Sequence, residues 1–416
     1  MANPEHVALV KEGVEVWNSW YEKHRRVVPD FSQANFSNLN LSGINFKKAN
    51  LERANFSHAD LSKAQLANAC MTNSNLLGAN LNNANLKGAN LDYAILFQAL
   101  INRHTSLSAK YQKVYEIVNH QSENKDYSGV DLSNSNLFKA DLSNAELSNA
   151  KLLNVNFNSA NLSSAYLYRA DLSGANLQNA DLRNAYFSQA NLTSAYLGGA
   201  LCCGAYFKDA ELKFTNLKTA KFSHKTMIDL KWYSVWEIVN RGAAKRNLSG
   251  ADLSNANLQG VDFEEANLTN AKLSHAILRR SNLTNANLTN TDLVGANVCG
   301  VDLDQANLKG AKLKSLISDR HTQLSLPGNS SKTSLMVKER PPIETLPDNL
   351  TKIQSNEVQN TQAISTSIQK KKSAPNILGI LLLGILAIAG AIGYVWSQNP
   401  DSPWIEQVEV WKDKLL

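Results

Sequence analysis

The side chains able to do chemistry are sparse in this chain, and their spacing argues against a reaction centre. Eight histidines and four cysteines are scattered through 416 residues. His104, His224 and His321 recur in copies of one motif, INRHTSL, FSHKTMI and ISDRHTQL, which close three separate segments. Equivalent positions in separate segments fit a structural role better than one shared site. Cys202 and Cys203 are the only vicinal pair. On a strand they point to opposite faces, so neither a disulfide nor a metal site is favoured. Exposed thiols at Cys70, Cys203 and Cys299 fit a reducing compartment. Asp and Glu recur at the spacing of the surrounding pattern, and no carboxylate pair stands apart from it. There is no phosphate loop, nucleophile elbow or zinc motif. The expectation is a chain that is not an enzyme, with no catalytic residue, metal ligand or cofactor.

The remaining candidates are aromatic. Tyr111, Tyr115, Trp232, Tyr233 and Trp236 lie in two stretches that interrupt the pattern, around KVYEIVN and SVWEIVN. Tyr115 and Trp236 match in position and are assigned to packing. Trp232, one helical turn before Trp236, is assigned with them. Tyr233 has a different angular position, which makes it the candidate partner contact, since exposed aromatics are common hot spots.

These residues are positioned by a repeat, clearest in ADLSG ANLQN ADLRN AYFSQ ANLTS AYL from Ala170 to Leu197. Every fifth residue is Leu or Phe, with Ala two before it. Residues two apart on a strand share a face, so Ala and Leu point inward and the Asp, Asn or Tyr between them outward. Ser, Gly and Asn among the last two residues turn the chain after each short strand. Four such corners close a square of about twenty residues, and coils stack at roughly 4.8 Å. The A(D/N)LXX unit resembles the pentapeptide-repeat family. The resemblance implies an all-β solenoid, a right-handed quadrilateral β-helix with four repeats per coil, carrying short capping and inserted α-helices.

Along the chain, residues 1–29 are expected to form a capping helix over 4–28. Asn3 caps it, Pro4 is its first residue, Val10, Val14, Trp17 and Tyr21 share one face, and Pro29 stops it. This stretch looks like the leader of cyanobacterial members of the family, and its role is to cover the open first coil. Repeat blocks follow at 30–101, 127–227 and 248–318, separated by inserts at 102–126 and 228–247. Their centres run from Phe31 to Ile101, Tyr127 to Met227 and Leu248 to Leu313. Steps of 26 residues from Ile101 to Tyr127 and 21 from Met227 to Leu248 imply a shift of phase at each insert. Whether coils continue past the inserts is open from spacing alone.

Residues 319–375 read as a disordered linker rich in Ser, Thr, Gln, Asn and Pro. Residues 376–396 read as a transmembrane helix, with twenty uncharged residues from Ile377 at one end to Trp396 at the other. Lys370, Lys371 and Lys372 precede it and place the repeats in the cytoplasm, with residues 397–416 across the membrane. In a cyanobacterium that membrane is the plasma or thylakoid membrane. The net charges of the blocks are +1 for 30–101, +2 for 127–227 and −1 for 248–318. Nucleic acid is therefore not an expected partner. The functional expectation is a membrane-anchored scaffold that binds an unidentified protein at the cytoplasmic face. The alternative is an accessory to a membrane transport or envelope process. A DNA mimic that binds gyrase, as the resemblance would also allow, is disfavoured by the balanced charge.

Overall fold

The structure, a computed structural model, describes residues 1–120 and 124–325. Within them the repeats build a coiled solenoid whose strands are so short that each reduces to a single bridge. The outward residue of one repeat pairs in parallel with the residue twenty positions on, as in Asp30 with Asn50 and Asn50 with Cys70. Twenty residues make one coil, and four repeats make its four sides.

One repeat, Asn50 to Ala54, shows why the unit has this composition. The N–H of Asn50 donates to Pro29 O (2.8 Å), that of Leu51 to Cys70 O (2.7 Å) and that of Arg53 to Thr72 O (2.9 Å). Ala54 N–H closes the turn on Leu51 O (3.0 Å). The remaining donor, Glu52 N–H, is taken by the Asn50 side chain (Oδ1, 3.2 Å). All five donors are satisfied, as a closed solenoid requires. Asp or Asn at the outward position is therefore part of the fold, accepting from the amide two residues on. Asn side chains also link coils, as in Asn156 Nδ2 to Asn136 Oδ1 (3.0 Å) and Asn176 Nδ2 to Asn156 Oδ1 (3.3 Å).

The fourth residue of the repeat takes a left-handed conformation, with φ 57° at Arg53 and 58° at Phe214. Asn and Gly suit it, and where Gly204 follows Asn184 one coil earlier a Cβ would lie 2.3 Å from the Asn184 Oδ1. Inward, Ala170, Leu172, Ala175, Leu177, Ala180 and Leu182 are fully buried. Ala is the commonest residue two before the centre, and Ile44, Val155 and Val301 are fully buried there as well.

At the amino end two helices form, α1 Pro4–Glu12 and α2 Val14–Lys23. Asn3 caps α1 and Pro4 opens it, as expected. The single helix expected over 4–28 breaks at Gly13 (φ 148°), and α2 ends at Lys23. Val10, Trp17 and Tyr21 are buried on the first coil. Trp17 Nε1 donates to Asn45 O (2.7 Å) and Tyr21 Oη to Lys47 O (2.9 Å). The Asn18 amide accepts from Asn45 N–H (2.8 Å) and donates to Gly43 O (3.1 Å), standing in for a peptide group of a missing coil.

The inserts carry α3 Ala109–Asn119 and α4 Leu230–Arg241. Each repeats the device of α2. Asn119 accepts from Gln98 N–H (2.6 Å) and donates to Leu96 O (2.9 Å), while Asn240 accepts from Thr219 N–H (2.6 Å) and donates to Leu217 O (3.0 Å). The coils continue past both inserts at one corner. Tyr93 N–H donates to Asn134 O (2.8 Å), and Phe214 N–H to Asn255 O (2.8 Å).

The expected phase shift is present, and it arises in the motif that closes each block. That motif contains a six-residue step, so that Asn85 bridges Ser106 and Tyr206 bridges Met227. Twenty residues separate Ser106 from Asp126 and Met227 from Asn247; among the described residues no bridge spans either insert, and the bonds from Tyr93 to Asn134 and from Phe214 to Asn255 land one residue later in the repeat than those within a block. The same step turns Met227 out of the core. Read from spacing as a repeat centre, it is 55% exposed, and Ile228 packs inward instead. The third block begins one repeat before Leu248, with Ala243 fully buried at a centre and its N–H bonded to Asp262 O (3.2 Å).

The expected linker over 319–375 falls mostly outside the described residues, as do the spanning helix over 376–396 and the tail. Among the described residues no helix is long and apolar enough to cross a membrane.

Candidate interaction surface

Helix α4 separates its aromatics as expected. Trp236 is buried, stacks on Phe222 (centroids 4.9 Å apart, planes at 7°) and donates from Nε1 to Ala220 O (2.8 Å). Trp232 is buried and Tyr115 half-buried against the core. Tyr233 is 37% exposed, its ring 5.5 Å from that of Trp236, and Leu230 one turn earlier is 80% exposed. Tyr111 is buried, and its hydroxyl reaches Asn90 Oδ1 (3.1 Å) and Asp92 Oδ1 (2.9 Å), with Lys110 Nζ 2.7 Å from the same carboxylate.

A second aromatic surface was hidden in the repeat itself. Tyr166, Tyr186 and Tyr206 occupy outward positions on one wall of the second block, in consecutive coils. Tyr166 and Tyr186 stack with centroids 5.0 Å apart and planes at 3°, and both are more than two-fifths exposed. Tyr206 continues the ladder at 6.4 Å, and Met227 ends it. At the adjoining corner Tyr168 lies under the Arg169 guanidinium (5.0 Å). The signal was readable as Tyr at intervals of twenty in AYLYR, AYFSQ and AYFKD, once four repeats per coil is granted.

The polar candidates serve the backbone. Ser133 holds Asp131 below the usual carboxylate range, first through its amide N–H, and Arg183 holds Asp181 there, first through its guanidinium. In the three closing motifs Thr105, Thr226 and Thr322 hydroxyls donate to Leu81 O, Cys202 O and Val298 O at 2.8 to 3.0 Å. Asn102 and Asp319 side chains accept the amides of His104 and His321 (both 3.0 Å), whose rings are held by Arg103 and Arg320 (both 3.1 Å). Cys202 is buried, which pushes its thiol up, and Cys70, Cys203 and Cys299 are half-buried; all four are free. Among the described residues no group of three His, Cys, Asp or Glu is placed to hold a metal ion.

The chain is similar to several solved structures. HetL, a pentapeptide repeat protein involved in heterocyst differentiation regulation from the cyanobacterium Nostoc sp. strain PCC 7120, is 24% identical over 71% of this chain and 91% of its own, with a TM-score of 0.18. A second pentapeptide repeat protein from Nostoc is 40% identical over 22% of this chain and 78% of its own, at a TM-score of 0.21. One from the Arabidopsis thaliana thylakoid lumen is 28% identical over 27% and 76%, at 0.25. No curated protein matches. The family model for pentapeptide repeats matches residues 30–66, 59–98, 126–152, 150–189, 185–223, 247–285 and 281–315, more than half of the sequence. With the twenty-residue coil and the five-residue unit in place, that match makes this chain a member of the pentapeptide repeat family.

Proposed function

We propose that the protein is a membrane-tethered scaffold without catalytic activity, which holds a protein partner at the cytoplasmic face. The observation that carries this reading is the exposed start of α4. Leu230 and Tyr233 face solvent on a helix whose other aromatics are buried in the solenoid end. A rigidly seated helix that presents an apolar pair is suited to partner contact, because little ordering entropy is lost on binding. The tether is the uncharged segment 377–396, and Lys370 to Lys372 before it orient the repeats inward.

Crosslinking capture from membranes tests the contact. Tyr233→Ala and Leu230→Ser should lose the captured protein while melting like the parent. Capture unchanged by both substitutions would remove α4 from the contact. An impermeant thiol reagent on intact cells should spare the repeat cysteines and label a Ser402→Cys variant, and the reverse pattern would invert the topology.

A further inference from the structure

We infer that the tyrosine wall of the second block is a docking face for a second copy of this chain, paired antiparallel about a two-fold axis through Tyr186. The inference goes beyond the scaffold reading and uses a different surface. Exposed Tyr166 and Tyr186 and half-buried Tyr206 form an aromatic strip on consecutive coils. What selects a second copy as the occupant is the corner beside the strip. Tyr168 and Arg169 follow Tyr166, and Lys208 and Asp209 follow Tyr206, at the same two turn positions one coil either side of Tyr186. All four are exposed.

A two-fold axis lying in the wall along the strand direction reverses the order of coils but keeps this corner on the same side. It therefore sets Arg169 of one copy opposite Asp209 of the other, and Tyr168 opposite Lys208. Each of these contacts is made twice, as in any isologous interface. The first is an ion pair and the second a cation–π contact. Tyr166 meets Tyr206, and Tyr186 meets itself. Arg169 and Asp209 are two coils apart in their own chain, about 10 Å, too far to pair with each other; within the chain Arg169 Nε donates to the neutral Gln189 Oε1 (2.8 Å), so its charge has no carboxylate there.

Five coils from Glu146 to Met227 give a strip about 24 Å long and about 10 to 15 Å wide. That is on the order of 300 Å² per copy, less than half of a standard interface of about 800 Å² per partner. The pairing is therefore weak in dilute solution and takes effect at high local concentration, as among copies held close together.

The test uses the full chain in isolated membranes and a cysteine at the axis. Ser188 lies at this corner in the Tyr186 coil and faces its own counterpart. Ser188→Cys should give an oxidation-dependent dimer well above the background of the four native cysteines. Gln178→Cys, at the opposite corner of that coil, should stay at background. In the Ser188→Cys chain, Arg169→Asp or Asp209→Arg alone should abolish the dimer, and the two together should restore it. Dimer formation from Gln178→Cys equal to that from Ser188→Cys overturns the face, and no dimer from Ser188→Cys does the same. A dimer indifferent to the single charge reversals, or not restored by the double exchange, overturns the antiparallel register.

Discussion

The claim that an asparagine side chain replaces a peptide group of an absent coil can be tested at Asn240. Its Oδ1 accepts from Thr219 N–H, and its Nδ2 donates to Leu217 O and, within the helix, to Trp236 O (2.8 Å). Asn240→Ala removes both bonds to the coil edge. At roughly 0.5 to 1.5 kcal/mol net each, the loss is about 1 to 3 kcal/mol. Thr219 is exposed, so water takes over part of its bond and the lower half of that range is expected. Asn240→Asp separates the two roles. It keeps an acceptor for Thr219 N–H but sets a carboxylate oxygen against the Leu217 and Trp236 carbonyls. Hydrogen exchange at the Thr219 amide, read beside the melting temperature, distinguishes the cases. Protection should be lost in Asn240→Ala and largely kept in Asn240→Asp, while both variants melt below the parent. Undiminished protection at Thr219 in Asn240→Ala would refute the substitution of side chain for backbone.

Three further outcomes follow from packing and burial. Leu172→Asp should cost more than about 4 kcal/mol in thermal or denaturant unfolding, since it empties a fully buried site and strands a carboxylate there, whereas Ser173→Ala should stay within about 1 kcal/mol. Trp236→Ala should cost about 3 to 5 kcal/mol, and Trp236→Phe, which keeps the stack on Phe222 but loses the bond to Ala220 O, should cost distinctly less. His6 is buried beside Trp17, Trp20 and Phe31, and burial holds its pKa below 6.5, against the opposing pull of its bond to Asp30 and the charges of Glu5 and Asp30. The unfolded chain takes up this proton first, so the contribution of His6 is whole above pH 6.5 and declines as the pH falls below it. Thermal melts followed by tryptophan fluorescence from about pH 8 to about pH 5 should show that decline, and His6→Gln should flatten it.

The coil was legible because its two strongest constraints have a period of their own. The inside of the tube takes Leu or Phe at the centre and mostly Ala two before it, so burial writes itself into every fifth residue. The helices on the open ends were legible through Val10, Trp17 and Tyr21, and through the match of Tyr115 with Trp236. Their capping asparagines were not, although Asn119 and Asn240 both end an EIVN motif, because an asparagine among so many carries no distinguishing mark. The phase shift at the inserts was legible as a count, but the place of the extra residue was not. The six-residue step before Ser106 and Met227 adds one residue that hydrogen bonds of Thr105 and Thr226 absorb, and a count of spacings does not see hydroxyls.

The outer surface is harder to read, since its commonest residues already have a structural task. An Asp or Asn there is explained by the amide two residues on, as Asp171 is by Ser173 N–H (3.1 Å), and says nothing of a partner. The informative positions are those that forgo this bond. A tyrosine has no acceptor within reach of that amide, so Tyr166, Tyr186 and Tyr206 each give up a bond that Asp or Asn would make, and they place an aromatic ring on the wall instead, exposed at Tyr166 and Tyr186 and half-buried at Tyr206. One such exchange is ordinary drift. Three on consecutive coils of one wall, flanked by charges of opposite sign one coil either side of the centre, run against what the solenoid alone would favour. Departures from a local rule without a gain in folding are where function is to be sought. In this fold, that places the search on the wall of Tyr186 and the first turn of α4 rather than on the acidic and histidine residues that first draw the eye.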